Sequence, residues 1–177
     1  MKRILLMIMV ISACIGFAYA DEFDDKVNTI LKVLNYDRSI GTRNSQGVRI
    51  SIVYNNTSSK STQEAVAMSG ALTKVKGATV QGHPVNNSID LFATDLRDKL
   101  SGYAAIYVCS DVDIGEVLKV SSDKKILTFG SNDKYWKKVS VLLVKDGTTI
   151  KIHLRDPQLQ KEGANIAAEL KSISVMD

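Results

Sequence analysis

Segments with the periodicity of helices alternate with short apolar segments along the chain, and this alternation limits the fold more than any other feature. Val27, Ile30 and Leu34 have the spacing of one helical face. The continuous apolar run Ala104–Cys109 is instead typical of a strand that is covered on both faces. The pattern predicts a single α/β domain, Rossmann-like or receiver-like, with a mostly parallel sheet and helices on both faces.

Periodicity and turn residues give the boundaries of the predicted elements. The expected helices are Asp24–Tyr36, Ser61–Val75, Ile89–Leu100, Val112–Val120 and, with an interruption near Gly163, Pro157–Val175. The expected strands are Val48–Tyr54, Ala78–Val85, Ala104–Cys109, Lys125–Phe129, Val139–Val144 and Thr148–Leu154. The segment Gly41–Gly47 is expected to be a polar loop, and Ser61-Thr62-Gln63-Glu64 has the spacing of a capping box. Asp146-Gly147 predicts an antiparallel hairpin at the end of the sheet.

The first twenty residues have the order of features found in a signal peptide. Lys2 and Arg3 precede the apolar run Ile4–Ala18, which is shorter than the roughly 20 residues that span a bilayer. Ala18-Tyr19-Ala20 then matches a cleavage site. We expect cleavage after Ala20, a soluble periplasmic protein, and one domain over residues 21–177. Lipid attachment at Cys14 is the alternative, although the residues after Cys14 are apolar where a lipoprotein tether is usually polar.

Charge and cysteine content exclude several classes of partner and fold. The formal charge of +4 falls by two when Lys2 and Arg3 are removed, and it predicts neither nucleic-acid binding nor a polybasic membrane arm. Cys109 is the one cysteine left after cleavage, so no intramolecular disulfide is expected. In its apolar run, Cys109 is interpreted as a small buried hydrophobic residue.

Motifs for catalysis, metals and cofactors are absent from the sequence. There is no glycine-rich nucleotide motif and no G-x-S-x-G nucleophile elbow. His83 and His153 are the only histidines and lie far apart in the sequence, so no metal site is expected. Asp111 follows a central strand as a receiver phosphoacceptor does, but Asn55 and Asn56 stand where a receiver has an acidic pair. We therefore expect no enzyme activity, no cofactor and no metal.

Polar residues follow three of the predicted parallel strands. Ligands of open α/β sheets bind at this carboxyl edge, where the strand order reverses. Each polar loop also precedes a helix, so helix capping alone explains the same composition. The candidates for a ligand crevice are Ser58, Ser61, Ser110, Asp111, Ser131 and Asn132.

A short aromatic pair lies among lysines after the fourth predicted strand. Tyr135 and Trp136 are flanked by Lys134 and Lys137. Exposed aromatic residues anchor protein partners, so both are candidates for partner contact. The alternative is that they close one end of the core.

The order of several segments resembles the YfiR-like family of exported bacterial proteins. The resemblance rests on the helix and Tyr36-Asp37-Arg38 step before Val48–Asn55, on Ile106-Tyr107-Val108, and on Ile150–Leu154 followed by Glu162-Gly163-Ala164. It covers nearly all of residues 21–177, and its motifs are structural rather than catalytic. It implies a periplasmic regulator that binds an inner-membrane diguanylate cyclase and so controls cyclic di-GMP. The single cysteine departs from disulfide control in that family, and Asp37 with Arg38 is interpreted as a local ion pair at the helix end.

Two functions therefore stand side by side. The first is a non-enzymatic regulator that contacts a membrane signalling protein. The second is a small-molecule-binding domain that resembles one lobe of a periplasmic substrate-binding protein. A homodimer is a further expectation under the second function, because two copies can form the cleft that one lobe leaves open.

Overall fold

Short apolar strands form the centre of the structure, a computed structural model that describes residues 22–44, 47–75, 77–91 and 96–177. The helices are α1 (22–35), α2 (Ile40–Arg43), α3 (Ser59–Lys74), α4 (Leu96–Lys99), α5 (Ile114–Lys124), α6 (Asp156–Lys161) and α7 (Ala168–Lys171), with a 3-10 turn at Asp133–Tyr135. The strands are β1 (Val48–Tyr54), β2 (Thr79–Val80), β3 (His83–Leu91), β4 (Ala105–Val108), β5 (Leu127–Gly130), β6 (Val141–Asp146), β7 (Thr149–Leu154) and β8 (Val175–Met176).

The strands form one sheet in the order β2-β3-β1-β4-β5-β6-β7-β8. β3, β1, β4, β5 and β6 are parallel, whereas β2 and β7 run antiparallel to β3 and β6. The chain leaves β1 for β3 on one side and then returns to β4 on the other side. The strand order therefore reverses between β1 and β4, and a crevice forms there at the carboxyl edge of such sheets. The predicted fold class is confirmed.

Two apolar layers cover the sheet. One combines α1 and α3 residues such as Ile30 and Met68 with one face of the central strands. The other combines α4 and α5 residues such as Leu96 and Val117 with the opposite face. All four residues of β4 are buried, as the continuous apolar run predicted. The predicted Val48–Tyr54 strand and the closing hairpin are also confirmed, with Asp146 opposite Thr149.

The predicted helix Ile89–Leu100 is wrong. β3 continues to Leu91 in unbroken register with β1, and only Leu96–Lys99 is helical in the described part of this segment. The apolar residues from Ile89 onward have a spacing that also fits a strand, and pairing with β1 decides between the two. Ile89 lies opposite Ile52 and is 46% exposed, so it does not belong to a buried helical stripe. Residues 92–95 lie outside the described residues.

Three smaller predictions also need correction. Helix α3 begins at Ser59 with Ser58 as its N-cap, so the capping box at Ser61 is wrong. Part of the predicted polar loop is helical, because α2 occupies Ile40–Arg43. The chain after Pro157 forms two short helices and β8 rather than one interrupted helix, because an extended segment around Ile166 bridges to Asp37.

Asp37 joins the first helix to the last part of the domain. Its fully buried carboxylate pairs with Arg43 and accepts hydrogen bonds from the N–H groups of Ser39 (3.0 Å) and Asn165 (2.9 Å). The expected local pair with Arg38 is wrong, since Arg38 lies 3.7 Å from the exposed Glu169 instead. We call Asp37 and these partners the Asp37 clamp.

The predicted signal peptide and Cys14 lie outside the described residues. Within the described ranges, no helix has the length and apolar character needed to cross a membrane.

Candidate functional site

A cleft of about 310 Å³ opens at the carboxyl edge of the sheet, beside the point where the strand order reverses. The first turn of α1 and the N-terminal half of α3 form one wall, and the loops after β4 and β5 form the other. Its lining residues are Glu22, Phe23, Lys26, Lys60, Glu64, Ser110, Ser131, Asn132 and Asp133.

Glu64 is the centre of the hydrogen-bond network beneath this cleft. It lies on the apolar face of α3 and is only 5% exposed. Its Oε2 accepts the N–H of Ser110 at 2.7 Å, while its Oε1 accepts the hydroxyls of Tyr107 at 2.7 Å and Ser131 at 3.2 Å. The carboxylate therefore ties α3 to the ends of β4 and β5.

Burial determines that Tyr107 acts as a hydrogen-bond donor to Glu64. Burial, together with the nearby Glu64 carboxylate, raises the pKa of Tyr107 well above its ordinary value. Tyr107 therefore keeps its proton and donates it to Glu64. Next to it, the side-chain amide of Asn132 donates to the Ser110 hydroxyl at 3.2 Å, so the two loops contact each other directly.

Lys26 brings a buried positive charge to the cleft. The side chain of Lys26 is 6% exposed, its Nζ lies 2.7 Å from Glu22 Oε1, and it sits 4.4 Å from the centre of the Phe23 ring. Burial raises the pKa of Glu22, but Lys26 and Lys145 outweigh it, so the net pKa is below the ordinary value of 4.5. Glu22 is therefore ionised at neutral pH, and α1 presents both a carboxylate and an ammonium group at this wall.

The structure places three of the six predicted crevice residues in the cleft, namely Ser110, Ser131 and Asn132. Ser58 caps α3 and donates to Asp111 Oδ2 at 2.8 Å, so this pair lies beside the cleft rather than in its lining. Ser61 is fully buried, and its hydroxyl accepts the N–H of Asn55 at 2.9 Å. Ligand binding by any of these residues stays a prediction.

Tyr135 and Trp136 have different surroundings. Tyr135 is buried, donates to the carbonyl of Cys109 at 2.7 Å, and has its pKa raised to about 12, chiefly by burial. It closes one end of the core, so an exposed partner contact by Tyr135 is wrong. Trp136 is 37% exposed and packs edge-on against the His153 ring, with the two ring centres 4.6 Å apart.

Several lining residues were not among the sequence candidates. The sequence places Glu64 in a predicted capping box, although a carboxylate on the same helical face as Ala65 and Met68 is the pattern of a buried polar group. Lys26 lies in the predicted helix Asp24–Tyr36 and Phe23 directly precedes it, and nothing in the sequence indicates that α1 borders the cleft. Among the described residues, no cluster of three or more His, Cys, Asp or Glu side chains could hold a metal ion.

Comparison with solved structures shows the same fold in two proteins. One is a conserved domain protein from Vibrio cholerae O1 biovar El Tor, with a TM-score of 0.58 and 12% identity over 87% of this chain. The other is the ABC domain from Streptococcus pneumoniae, solved in complex with L-Trp, with a TM-score of 0.52 and 12% identity over 81% of this chain. This chain spans 59% and 60% of those two chains. These similarities define an α/β domain with a mostly parallel sheet.

No protein-family model and no curated protein matches the chain. The resemblance to the YfiR-like family stays a prediction.

Proposed function

We propose that this chain is a small-molecule-binding α/β domain whose ligand occupies the cleft between α1, α3 and the ends of β4 and β5. The observation that carries the proposal is that Lys26 and Glu64, each 5% exposed, both line the cleft. Burying a charged group costs free energy that its partners must offset, as Glu22 does for Lys26 and the donors beneath the cleft do for Glu64. Here one of each sign borders a concave site at the edge where α/β sheets bind ligands.

The lining favours a small ligand that carries both an anionic and a cationic group. Lys26 and Lys60 offer ammonium groups, while Glu22 and Asp133 offer carboxylates. Ser110 and Asn132 add a hydroxyl and an amide for orientation. A volume of about 310 Å³ is at the lower end of the range for ligand pockets, which suits a molecule the size of an amino acid. The Streptococcus pneumoniae neighbour was solved with L-Trp, so free amino acids are the first probes.

The test is a thermal-shift screen of the purified protein against the common L-amino acids and small dicarboxylates, followed by calorimetric titration of any compound that raises Tm. We expect zwitterionic compounds to raise Tm more than dicarboxylates. Lys26→Met should abolish the shift because it removes the buried ammonium, while Glu22 keeps Lys145 as a partner at 3.1 Å. Lys119→Met, on the exposed face of α5, is the matched control and should bind normally.

Two results contradict the proposal. One is the absence of a shift with any compound in the panel. The other is binding by Lys26→Met that equals binding by the unsubstituted protein, which excludes the cleft as the site.

A second candidate function, regulation through protein contact, is favoured by an exposed apolar area around Trp136. The Trp136 ring packs edge-on against the His153 ring. His153 in turn lies opposite Val175, where β7 pairs with β8. Val175 is 43% exposed, so apolar surface continues from Trp136 to the β8 edge. The resemblance to the YfiR-like family names the partner class, an inner-membrane signalling protein such as a diguanylate cyclase.

A pull-down from detergent-solubilised membranes tests this second function. We expect one membrane protein with a periplasmic sensor domain to be retained by the protein and lost with Trp136→Ala. Val66→Ala, which trims another exposed apolar residue on α3, should retain it. Equal retention by both variants, or no specific protein at all, contradicts regulation through the Trp136 surface.

A further inference from the structure

The edge strand β3 is paired along only part of its outer side. β2 covers its beginning, with Thr79 opposite Pro84 and Val80 opposite His83, and the N–H of Val85 donates to the carbonyl of Ala78 at 3.0 Å. On the other side, pairing with β1 continues to Leu91. Among the described residues, no strand lies outside β3 beyond Val85. Within the described part of the chain, residues 86–91 therefore form a free edge.

The direction of the backbone groups on this edge follows from the bond at Val85. In a strand, the N–H and C=O of one residue point to the same side, and the side alternates with each residue. Because the N–H of Val85 points outward, those of Asn87, Ile89 and Leu91 point outward as well. Three residues thus present unpaired donors and acceptors in a row.

This edge lacks three features that commonly prevent strand pairing, and Asp90 is its one charged residue. Natural edges are protected by lysine, proline or bulges. Residues 86–91 contain no lysine or proline, and the register with β1 has no bulge. The one proline of β3, Pro84, lies in the part that β2 already covers.

Exposed apolar side chains border the same edge. Ile89 is 46% exposed, and Val66 on α3 is 64% exposed. The Asn87 side chain lies 3.4 Å from Ser69, which fixes α3 beside β3. Val66 is one turn earlier in α3, and because α3 runs opposite to β3, that turn lies beside Ile89. The edge therefore carries apolar surface on its α3 side.

We propose that the free edge of β3 pairs antiparallel with the same edge of a second copy of this chain. A twofold axis perpendicular to the sheet relates the two strands, so residues on one face meet residues on the same face. Centring the pair on Ile89 uses all three outward positions and leaves the bond between Val85 and Ala78 intact. The two Ile89 side chains then meet across the axis, with Val66 of each copy alongside.

The other face of the same pairing avoids charge repulsion between opposite residues. In this register Ser88 lies opposite Asp90 of the second copy, so no carboxylate directly faces another. Each Asp90 already accepts hydrogen bonds from Ser51 at 2.6 Å and Ser88 at 2.7 Å within its own chain. One strand of six residues with Val66 alongside is a short contact for a typical stable interface of roughly 800 Å² per partner, so we expect the dimer to dissociate on dilution.

The mass of the protein in solution is the first test, measured by sedimentation equilibrium over a wide concentration range. We expect a reversible monomer–dimer equilibrium for the unsubstituted protein and monomer alone for Ile89→Lys and for Val66→Lys. Ile173→Lys changes an equally exposed apolar residue far from β3 and should leave the equilibrium unchanged. Circular dichroism melts confirm that each variant is folded. A monomer at every concentration for the unsubstituted protein overturns the proposal.

Cross-linking tests the register. Ile89→Cys should give a covalent dimer under mild oxidation or with a short bis-maleimide, because position 89 meets its own copy. Asn86→Cys should not, because position 86 lies about 20 Å from its copy in this register. The unsubstituted protein, whose Cys109 is buried, supplies the background. Equal cross-linking of the two variants overturns the pairing.

The cleft lies at the carboxyl ends of β4 and β5, whereas Ile89 lies on the free side of β3. Ile89→Lys should therefore bind the cleft ligand normally, so that each proposal can be contradicted without the other.

Discussion

Two buried glutamates sit at opposite edges of the sheet and differ in what surrounds them. Glu64, at the carboxyl edge, borders an open cleft. Glu162, at the amino edge, is fully buried and accepts hydrogen bonds from the N–H of Thr128 at 2.9 Å and from the side chain of Gln158 at 2.8 Å, with Ser140 also donating. Both side chains join elements that are distant in sequence, so each should have a measurable effect on folding.

Glu64→Ala should lower the free energy of unfolding by about 2–3 kcal/mol, because it leaves the Ser110 N–H buried without an acceptor and the Tyr107 hydroxyl with Ser131 as its remaining partner. Urea denaturation measures this change. Glu116→Ala, an exposed glutamate on α5, is the control and should change the value by less than about 0.5 kcal/mol. A loss for Glu64→Ala that is as small as for the control contradicts the role assigned to the network.

Glu162 should make stability depend on pH. Burial raises its pKa above the ordinary value of 4.5, although hydrogen bonds from Gln158 and Ser140 oppose the rise. The folded state thus holds the proton more tightly than the unfolded state. The resulting stabilisation is complete below pH 4.5 and is lost as pH rises through the folded pKa.

Glu162→Gln should flatten this part of the pH profile, because glutamine does not titrate. Denaturation at a series of pH values from acid to neutral, for both proteins, gives the difference directly. Parallel profiles for the two proteins contradict the assignment.

At the scale of elements, the N-cap of α3 lies three residues before the serine that the sequence motif indicated. Two serines three residues apart both have the composition of an N-cap. Ser58 is the N-cap, because its side chain accepts the N–H of Ser61. The buried Ser61 hydroxyl instead accepts the N–H of Asn55. The cap is therefore part of the connection between β1 and α3.

Ser58→Ala should destabilise the protein by about 1 kcal/mol through loss of the cap. Ser59→Ala, one residue later and exposed, should be nearly neutral. Thermal unfolding of the two variants separates them, and equal melting temperatures would show that the cap contributes nothing.

Proline substitutions distinguish the two sides of β3. Ser88→Pro removes an N–H that points toward β1 and should destabilise the sheet by about 1–3 kcal/mol or more. Asn87→Pro removes an outward N–H and should destabilise it less. Hydrogen exchange of β1 amides measures the effect on pairing. The reverse order of the two effects contradicts the alternation described for this strand.

The sequence allowed the strands at the centre and the final hairpin to be predicted, because the short apolar run at β4 is typical of a buried strand and Asp146-Gly147 is typical of a hairpin turn. It could not separate a strand from a helix at Ile89, where the apolar spacing fits both and long-range pairing decides. Ser110, Ser131 and Asn132 could be predicted from the rule that polar loops gather at the carboxyl edge. Lys26 and Glu64 could not, because their positions depend on which helix faces pack against the cleft.

At the scale of the whole molecule, the lone cysteine of the described residues reports on global unfolding. Cys109 is buried at the end of β4, and burial together with Glu64 raises the pKa of its thiol well above its ordinary range. The reactive thiolate is therefore scarce in the folded state.

We expect a thiol reagent to modify Cys109 only as fast as the protein unfolds globally. Adding urea in steps should raise the modification rate in parallel with the loss of circular dichroism signal. Rapid modification in the absence of urea would contradict the packing around β4.

The Asp37 clamp has a consequence for biosynthesis. Its carboxylate receives a hydrogen bond from Asn165, so the end of the first helix is completed by a residue 128 positions later in the sequence. A chain growing on the ribosome cannot close this contact until Asn165 has been made and has left the ribosome. Contacts of such long sequence separation slow folding. The carboxylate of Asp37 therefore stays without this partner, in contact with water or the ribosome, for most of the time in which residues 37–165 are made.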